Sequence, residues 1–307
     1  MPQAAITLRA PAKLNLSLAV LGRRADGFHE LESFLVPVDL ADTLSLRSDG
    51  PPGIRLVVRP GGLLATPRGR PLARDVPADA TNLVVKAAAA LAASAGVEPA
   101  LDIELVKRIP SGAGLGGGSS DAAATLRGAA AAWQLDWPRE RLMELAAGIG
   151  SDVPWFFADA PALATGRGER IVAVPTLPPL FAVIASPVAG LSTAAVYRAC
   201  TPEPERAGEA ARLAAMLAAG DLRGATPFLH NSLEAPARSL CGDIGRLLDD
   251  LEAAGGLCPR LTGSGSACFT LCRTRDEAQA VAARLTALED SGRPRWPGVW
   301  AVRVGRG

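Results

Sequence analysis

Three places in this 307-residue chain concentrate residues able to do chemistry. The first is Pro110-Ser-Gly-Ala-Gly-Leu-Gly-Gly-Gly-Ser-Ser120, with five glycines between 112 and 118. Glycine lets backbone N–H groups converge on one point, and a helix opening at Ser119-Ser120-Asp121 would add its partial positive charge there. That combination is a cradle for phosphate, although composition alone would equally serve a flexible hinge. The second is Lys13 with Asn15, two residues apart in an alternating run and therefore ~7 Å from each other on one face of a strand. The third is Asp152, in a Ser-Asp-Val-Pro turn. A carboxylate and an ammonium beside a phosphate cradle suffice for phosphoryl transfer, which asks for positioning and charge neutralisation more than covalent chemistry. Asp152 could instead cap the element that follows it, with Pro154 just inside. Lys13 and Asn15 could be the solvated face of an antiparallel sheet.

Other chemistries find less support. The sequence has no Gly-Lys-Ser/Thr tripeptide, so the Walker design is absent. Gly112, Gly114 and Gly117 match the dinucleotide spacing, but residues 133–140 (WQLDWPRE) do not make the second strand with a terminal acid that this design requires. Two histidines, His29 and His230, leave hydrolytic triads and His-rich metal sites unsupported, and His230 reads as structural. The five cysteines (200, 241, 258, 268 and 272) form no CxxC pair and read as free thiols in a reducing compartment.

Around these residues the chain must supply elements. Leu14–Val20 alternates and predicts a half-buried strand, followed by strand-like runs at Phe34–Leu40, Thr43–Leu46 and Ile54–Val58. The second half of Gly50–Pro77, rich in Pro, Gly and Arg, reads as a mobile surface loop. An Ala-rich helix over Asn82–Ala95 and a strand at Ala100–Lys107 lead into the glycine segment, with helices then running to Trp133 and over Pro138–Ala147. Strands are expected at Ala162–Gly166, Arg170–Val174 and Leu180–Ser186, then helices near Ser192–Ala199, Ala207–Ala219 and Cys241–Ala254. A strand at Ala267–Cys272, a helix over Asp276–Leu288 and a strand at Val299–Val304 close the chain. Strand runs with interspersed helices make this an α+β protein of two lobes, near 1–160 and 161–307.

Lys+Arg of 32 against Asp+Glu of 31 gives a net charge of +1, not the basic balance that nucleic-acid binding demands. Lysine occurs only at 13, 86 and 107, which makes Lys13 and Lys107 stand out in an arginine-rich chain. Ile171–Tyr197 carries no charge, but its four prolines confine the continuous apolar run to Leu180–Ser186, a buried strand and not a membrane helix. Met1–Lys13 lacks the apolar core of a secretory leader, so a soluble, cytoplasmic protein is expected, without membrane or nucleic-acid partners.

The segment 110–120, preceded by Ala10-Pro-Ala-Lys-Leu-Asn-Leu16 and followed by Leu261-Thr-Gly-Ser-Gly-Ser-Ala-Cys-Phe269, resembles the GHMP small-molecule kinases, a family that includes galactokinase, homoserine kinase and mevalonate kinase. Arg24-Ala-Asp-Gly-Phe-His-Glu-Leu31 and Gly150-Ser-Asp-Val-Pro-Trp-Phe-Phe157 narrow the resemblance to the branch whose acceptor is a cytidine diphosphate ester of a methylerythritol, phosphorylated at its tertiary 2-hydroxyl for isoprenoid synthesis. The resemblance implies a ribosomal-protein-S5-domain-2-like N-terminal lobe that binds ATP, an α/β-sandwich C-terminal lobe on the substrate side, and a cleft between them. It implies use of Mg²⁺, with Ser119 or Ser120 as candidate ligands, and a monomer or weak homodimer.

The same resemblance assigns roles. Lys13 becomes the cation near the acceptor hydroxyl, Asp152 the general base, and Asn15 a hydrogen-bond partner for substrate or base. Phe28, where the family usually has Tyr, stacks on the cytosine; His29 bonds its edge; and Tyr197, the only tyrosine, covers the other face. Asn82, Leu83 and Lys107 join Pro110, Ser111, Gly112, Ala113, Gly114, Leu115, Gly116, Gly117, Gly118, Ser119 and Ser120 on the nucleotide side. The turn Gly263-Ser-Gly-Ser266 closes the acceptor side.

Overall fold

The computed structural model describes residues 5–73, 76–158, 160–174 and 176–305. Its frame is a long antiparallel hairpin, β1 (Ile6–Arg23) and β2 (His29–Arg47), whose turn carries Phe28 at its tip. The turn is held by Arg24 N–H donating to the Phe28 carbonyl (2.8 Å) and by Phe28 N–H donating to Asp26 Oδ1 (3.1 Å). Both strands are longer than the alternating runs predict, because register shifts at Pro11/Lys13, Asn15/Ser17 and Val20/Gly22 let them bend without ending the pairing.

The first lobe adds β3 (Gly53–Pro60) parallel to β4 (Ala100–Lys107), and β4 antiparallel to the far half of β2. Helices α1 (Leu83–Ala95), α2 (Gly117–Ala132) and α3 (Arg139–Ala147) cover this sheet. α1 is stopped at both ends by local chemistry. Asn82 accepts from Val84 N–H (2.9 Å) as N-cap, and Gly96 closes it in the left-handed region. Its buried Val84, Ala87, Ala88, Leu91 and Ala92 recur at helical spacing. Alanine and glycine on α2 let it lie close on the hairpin: a Cβ on Gly128 would come within 2.8 Å of Leu8 and Leu46. The hairpin β5 (Ala162–Gly166) and β6 (Arg170–Ala173) pairs back onto β2, so the first lobe's sheet extends to Ala173.

The second lobe is the sheet β13–β7–β10–β9, where β7 is Leu180–Ser186, β9 Leu257–Leu261, β10 Cys268–Cys272 and β13 Gly298–Val304. Between these strands lie α4 (Thr193–Arg198), α5 (Glu209–Ala218), α6 (Leu222–Ala225), the short β8 (His230–Asn231), α7 (Glu234–Leu240), α8 (Gly242–Ala253), α9 (Arg275–Thr286) and a small ribbon of β11 (Glu289–Asp290) with β12 (Arg293–Pro294). Both faces of β7 are buried, Ala182 and Ile184 on one and Val183 and Ala185 on the other, which is why Leu180–Ser186 reads as one apolar run. Among the described residues no helix is long and apolar enough to cross a membrane.

The two sheets meet where Val304 of β13 pairs with Val38 of β2. Between them sits a core shared by Ala12, Leu14 and Leu16 of β1, Ile184, Phe269, Val302 and helix α5. Glu32 on β2 caps α5, accepting from Gly208 N–H (2.9 Å) and Ala210 N–H (3.0 Å).

Two expectations need correction here. The polar face of β1 is not solvated: Lys13, Asn15 and Ser17 are 4%, 5% and 4% exposed, because the second lobe's Thr262 and the glycine loop close over them. The segment after β3 is not a free loop either. It folds into two short 3-10 turns anchored by buried Leu64 and Leu72, and Arg68 donates across to the carbonyls of Thr286 (3.1 Å) and Trp296 (2.6 Å). Arg74 and Asp75 of that segment lie outside the described residues.

Candidate active site

The glycine segment 110–120 leaves β4 and enters α2 through glycines at φ +70° (Gly112), +80° (Gly114) and +72° (Gly116). Alternation of left-handed and ordinary conformations turns successive N–H groups to one side, and the first turn of α2 adds donors that have no partner inside the helix. The loop is tied to both lobes. Lys13 N–H donates to Leu115 O (3.0 Å) and Ala267 N–H to Ala113 O (3.0 Å). On the far side, a Cβ at Gly263 would meet Gly114 O at 2.9 Å and Lys13 Nζ at 3.1 Å, so the two glycine-rich turns pack backbone to backbone over the lysine.

One cavity of about 690 Å³ collects most of the expected acceptor-side residues: Lys13, Asn15, Phe28, His29, Asp152 and Tyr197, with Gly112, Gly114 and Gly116 and the turn Gly263, Ser264 and Gly265. Lys13 Nζ donates to Asn15 Oδ1, the long lysine side chain spanning the i, i+2 interval on one face of β1. Asn15 Nδ2 donates to Ser33 Oγ (2.9 Å), and Asn15 N–H to Thr262 Oγ1 (3.0 Å). Burial lowers the pKa of Lys13 below 10.5, against the pull of the Asp152 charge. Asp152 is exposed in the cleft, and among the described residues none donates a hydrogen bond to its carboxylate. It does not act as a cap: Val153, without a side-chain cap, precedes the 3-10 turn Pro154–Phe157.

At the hairpin tip, Phe28 is 49% exposed and takes the Arg167 guanidinium over its ring, 3.6 Å from the centroid. His29 and Tyr197 are ring neighbours at 5.2 Å, tilted by 33°. Burial first, and the Arg23 charge second, lower the pKa of His29 below 6.5, which keeps the ring neutral at pH 7. Burial, with the Asp152 charge adding, raises that of Tyr197 and keeps its hydroxyl protonated.

A second cavity of about 360 Å³ opens on the other side of the loop, against Val58, Pro60, Leu64, Leu72, Lys107, Ile109 and Ser111. Lys107 is 5% exposed, and its ammonium donates to Asp42 Oδ2 and to Asp121 Oδ2 (2.7 Å), which takes two of its three N–H donors. Burial alone would lower its pKa, but Asp121 and Asp42 outweigh burial and raise it. Burial pushes the Asp121 carboxyl up to about 8 against the pull of Lys107, with Asp42 adding to the rise. Asp42, wholly buried, also accepts from the backbone N–H groups of Arg108 and Ile109 (2.9 Å), fixing the corner where β4 becomes the glycine loop.

Asn82 spends its side-chain oxygen capping α1, and Leu83 touches the first turn of α2, where a Cβ on Gly118 would lie 3.6 Å from it. Ser120 is buried, and its hydroxyl has no hydrogen-bond partner among the described residues. The residues that sequence reasoning passed over are Asp42, Trp155, Arg167 and Thr193, the last bonded to Ser264 Oγ (2.9 Å) at the cavity wall. Trp155 falls within the 150–157 segment already singled out, whereas Asp42, Arg167 and Thr193 meet partners distant in the chain that nothing local marks. His230 bonds Glu203 (2.8 Å), a carboxylate that also accepts from Ser232 Oγ, away from the cavity. All five cysteines are free thiols, and among the described residues no group of three His, Cys, Asp or Glu could hold a metal ion.

Known proteins are similar to this chain over most of its length. The N-terminal domain of the GHMP kinases matches residues 82–166 and their C-terminal domain residues 198–290. The 4-diphosphocytidyl-2-C-methyl-D-erythritol kinase of Rhodococcus jostii is 41% identical over 286 residues, 91% of this chain and 88% of its own length. That of Shouchella clausii is 37% identical over 300 residues, 97% and 94% of the two chains. A crystal structure of 4-(cytidine 5'-diphospho)-2C-methyl-D-erythritol kinase is similar with a TM-score of 0.75 at 36% identity, covering 98% of this chain and 100% of that one.

Proposed function

The chain belongs to the GHMP kinases, and on that premise we propose that it transfers the γ-phosphoryl group of ATP to the tertiary 2-hydroxyl of 4-diphosphocytidyl-2-C-methyl-D-erythritol. The observation that carries this reading is the single cavity in which Lys13, Asp152, the glycine loop and the Phe28–His29 turn meet, with a second cavity behind the loop. The nucleotide occupies the rear cavity, its phosphates lie along residues 110–120, and the γ-phosphoryl emerges on the acceptor side. Residues 161–307 close that side through Tyr197 and the turn at 263–265.

Asp152 accepts the proton as the hydroxyl oxygen attacks phosphorus in line. Lys13, buried and steadied by Asn15, offsets the charge developing on the transferred group without water competing for it. The loop N–H groups hold the oxygens of the phosphates, and no phosphoenzyme is needed. Mg²⁺ fits the oxygen donors here, since the Ser120 hydroxyl is buried in the first turn of α2 without a protein partner, and Ser119 precedes it. When bound, the ion neutralises charge on the phosphate oxygens. Phe28 offers a ring for the cytosine, and neutral His29 a hydrogen bond for its edge.

The test is ADP release from ATP and Mg²⁺ with the complete acceptor and with the same acceptor lacking its cytidylyl group. Turnover with the complete acceptor alone is expected, abolished by Lys13→Ala and by Asp152→Ala while both variants still bind ATP. Folded, ATP-binding protein that ignores the complete acceptor would overturn the substrate, and turnover retained in both variants would overturn the catalytic roles.

A further inference from the structure

The acceptor just proposed is anchored at two ends, its base at Phe28 and His29 and its hydroxyl at Asp152 and Lys13. Its covalent order (base, ribose, diphosphate, methylerythritol) puts two phosphate charges between those ends. The glycine loop is committed to the phosphates of ATP, so the acceptor's own diphosphate needs another partner, and the inference below rests on that reading of the acceptor.

Lys13 and Arg167 are the Lys and Arg side chains that line the cavity. Lys13 is buried at the hydroxyl end and bonded to Asn15. Arg167 sits in the turn between β5 and β6, half-buried, in the interval between the two anchors. Its guanidinium lies on the Phe28 ring, 3.6 Å from the centroid. The next residue, Gly168, is so close to the base that a Cβ there would lie 4.0 Å from Asp152 Oδ1. The turn holds its own shape through Arg167 N–H donating to Glu169 Oε2 (2.5 Å), which leaves the side chain out of that contact. Asp26, the carboxylate that feels the Arg167 charge, is already bonded to Arg24 and to Phe28 N–H at 3.1 Å each.

A guanidinium stacked by its face keeps its N–H donors pointing outward in its own plane, where they can meet two phosphate oxygens at once. Arg167 covers one face of the Phe28 ring, and the side chain is still 49% exposed. We propose that Arg167 is a specificity-determining residue that reads the acceptor's diphosphate, stacking on Phe28 by its face and pairing with phosphate oxygens by its edge. The aromatic ring and the cation then form one recognition unit for a nucleoside diphosphate ester, in a chain where Phe28 brings no hydroxyl of its own.

The experiment measures equilibrium binding of cytidine, CMP and CDP to the full-length protein with the nucleotide side saturated by ADP, for the native chain, Arg167→Ala, Arg167→Lys and Phe28→Ala. CDP is expected to bind the native protein roughly tenfold or more tighter than cytidine, the scale of a charge-assisted bidentate contact. Arg167→Ala should lose that advantage with little change for cytidine, Arg167→Lys should recover part of it, and Phe28→Ala should weaken all three ligands. In turnover, Arg167→Ala should raise KM for the acceptor and leave KM for ATP alone. A CDP advantage that survives Arg167→Ala overturns the proposal. Equal weakening of cytidine and CDP in Arg167→Ala also overturns it, reducing Arg167 to a prop for Phe28. Native protein that binds ADP but none of the cytosine ligands sinks the acceptor reading itself, and this inference with it.

Discussion

Gly112 and Gly116 offer a matched pair of perturbations in the glycine loop. Both are left-handed, φ +70° and +72°, so replacing either by alanine costs about 1–2 kcal/mol in backbone strain. Their surroundings differ. A Cβ at Gly112 meets nothing within 4 Å, whereas at Gly116 it would lie 2.8 Å from Phe156 Cζ and 2.9 Å from Lys13 Cγ. Ordinary contact begins near 3.4 Å, so both neighbours must give, Phe156 by about 0.6 Å and Lys13 by about 0.5 Å. Phe156 is 2% exposed and packed edge-on against Trp155, so it resists its share of the shift, and the lysine is displaced with it. Crowding of this kind typically adds ~1–3 kcal/mol.

Gly112→Ala should therefore lower stability by ~1–2 kcal/mol, and Gly116→Ala by roughly 2–5 kcal/mol. The functional contrast is sharper. A misplacement of about 1 Å at a reacting centre can cost ~10²-fold, so a shift of half that in Lys13 should reduce kcat about tenfold in Gly116→Ala, with little effect of this kind in Gly112→Ala. Denaturant unfolding and steady-state kinetics on the two variants decide it. Equal losses of stability and of kcat would refute the claim that Gly116 is needed for room beside Lys13 and not for its backbone angle alone.

Two further outcomes follow from the buried charges. Lys13 must be protonated to act, so activity is present below its pKa and lost as pH rises through it; because burial lowers that pKa, the alkaline limb of kcat/KM should fall below 10.5. Lys13→Arg, whose guanidinium does not titrate in this range, should lose that limb from whatever turnover it keeps, and an unchanged profile would assign the limb elsewhere. For Asp121, burial holds the folded pKa at about 8, above the ordinary 3.8, so its contribution to stability is full below 3.8 and is lost as pH rises through 8. Asp121→Asn carries no such proton, and its Tm should decline less than the native protein's between pH 4 and 8; parallel curves would show that the carboxyl is ionised throughout.

The sequence makes the local architecture legible and hides what depends on distant partners. The alternation at Leu14–Val20 and the strand–glycine–helix order of 100–133 appear in the fold as expected. β9 escapes because Pro259 argues against a strand, and the proline is tolerated since β9 lies at the sheet's edge beside β10. α7 escapes because Pro236 sits in its first turn, a position where proline does no harm. Lys107 is conspicuous as a lysine before a phosphate loop, yet its partners Asp42 and Asp121 lie 65 and 14 residues away. No periodicity announces that the ammonium is tied to these two carboxylates. The same holds for Arg167 and Phe28, which meet only because β5 pairs with β2 and brings one turn over the other.

The site divides by solvent exposure along its length, and that division has a functional consequence. At the chemical end, Lys13 and Asn15 are 4% and 5% exposed, on a strand whose opposite face is the core shared by both lobes. A residue there cannot change without disturbing the glycine loop, Thr262 and that core together. At the recognition end, Phe28 is 49% exposed on a hairpin tip, and Arg167 reaches it from a second turn. Neither turn carries core packing comparable to that of β1, so their side chains can be exchanged at the cost of their own contacts alone. With the roles proposed above, acceptor choice is set where substitution is cheap, and phosphoryl transfer where it is not. On these physical grounds a fold of this kind can keep one reaction while changing the molecule it acts on.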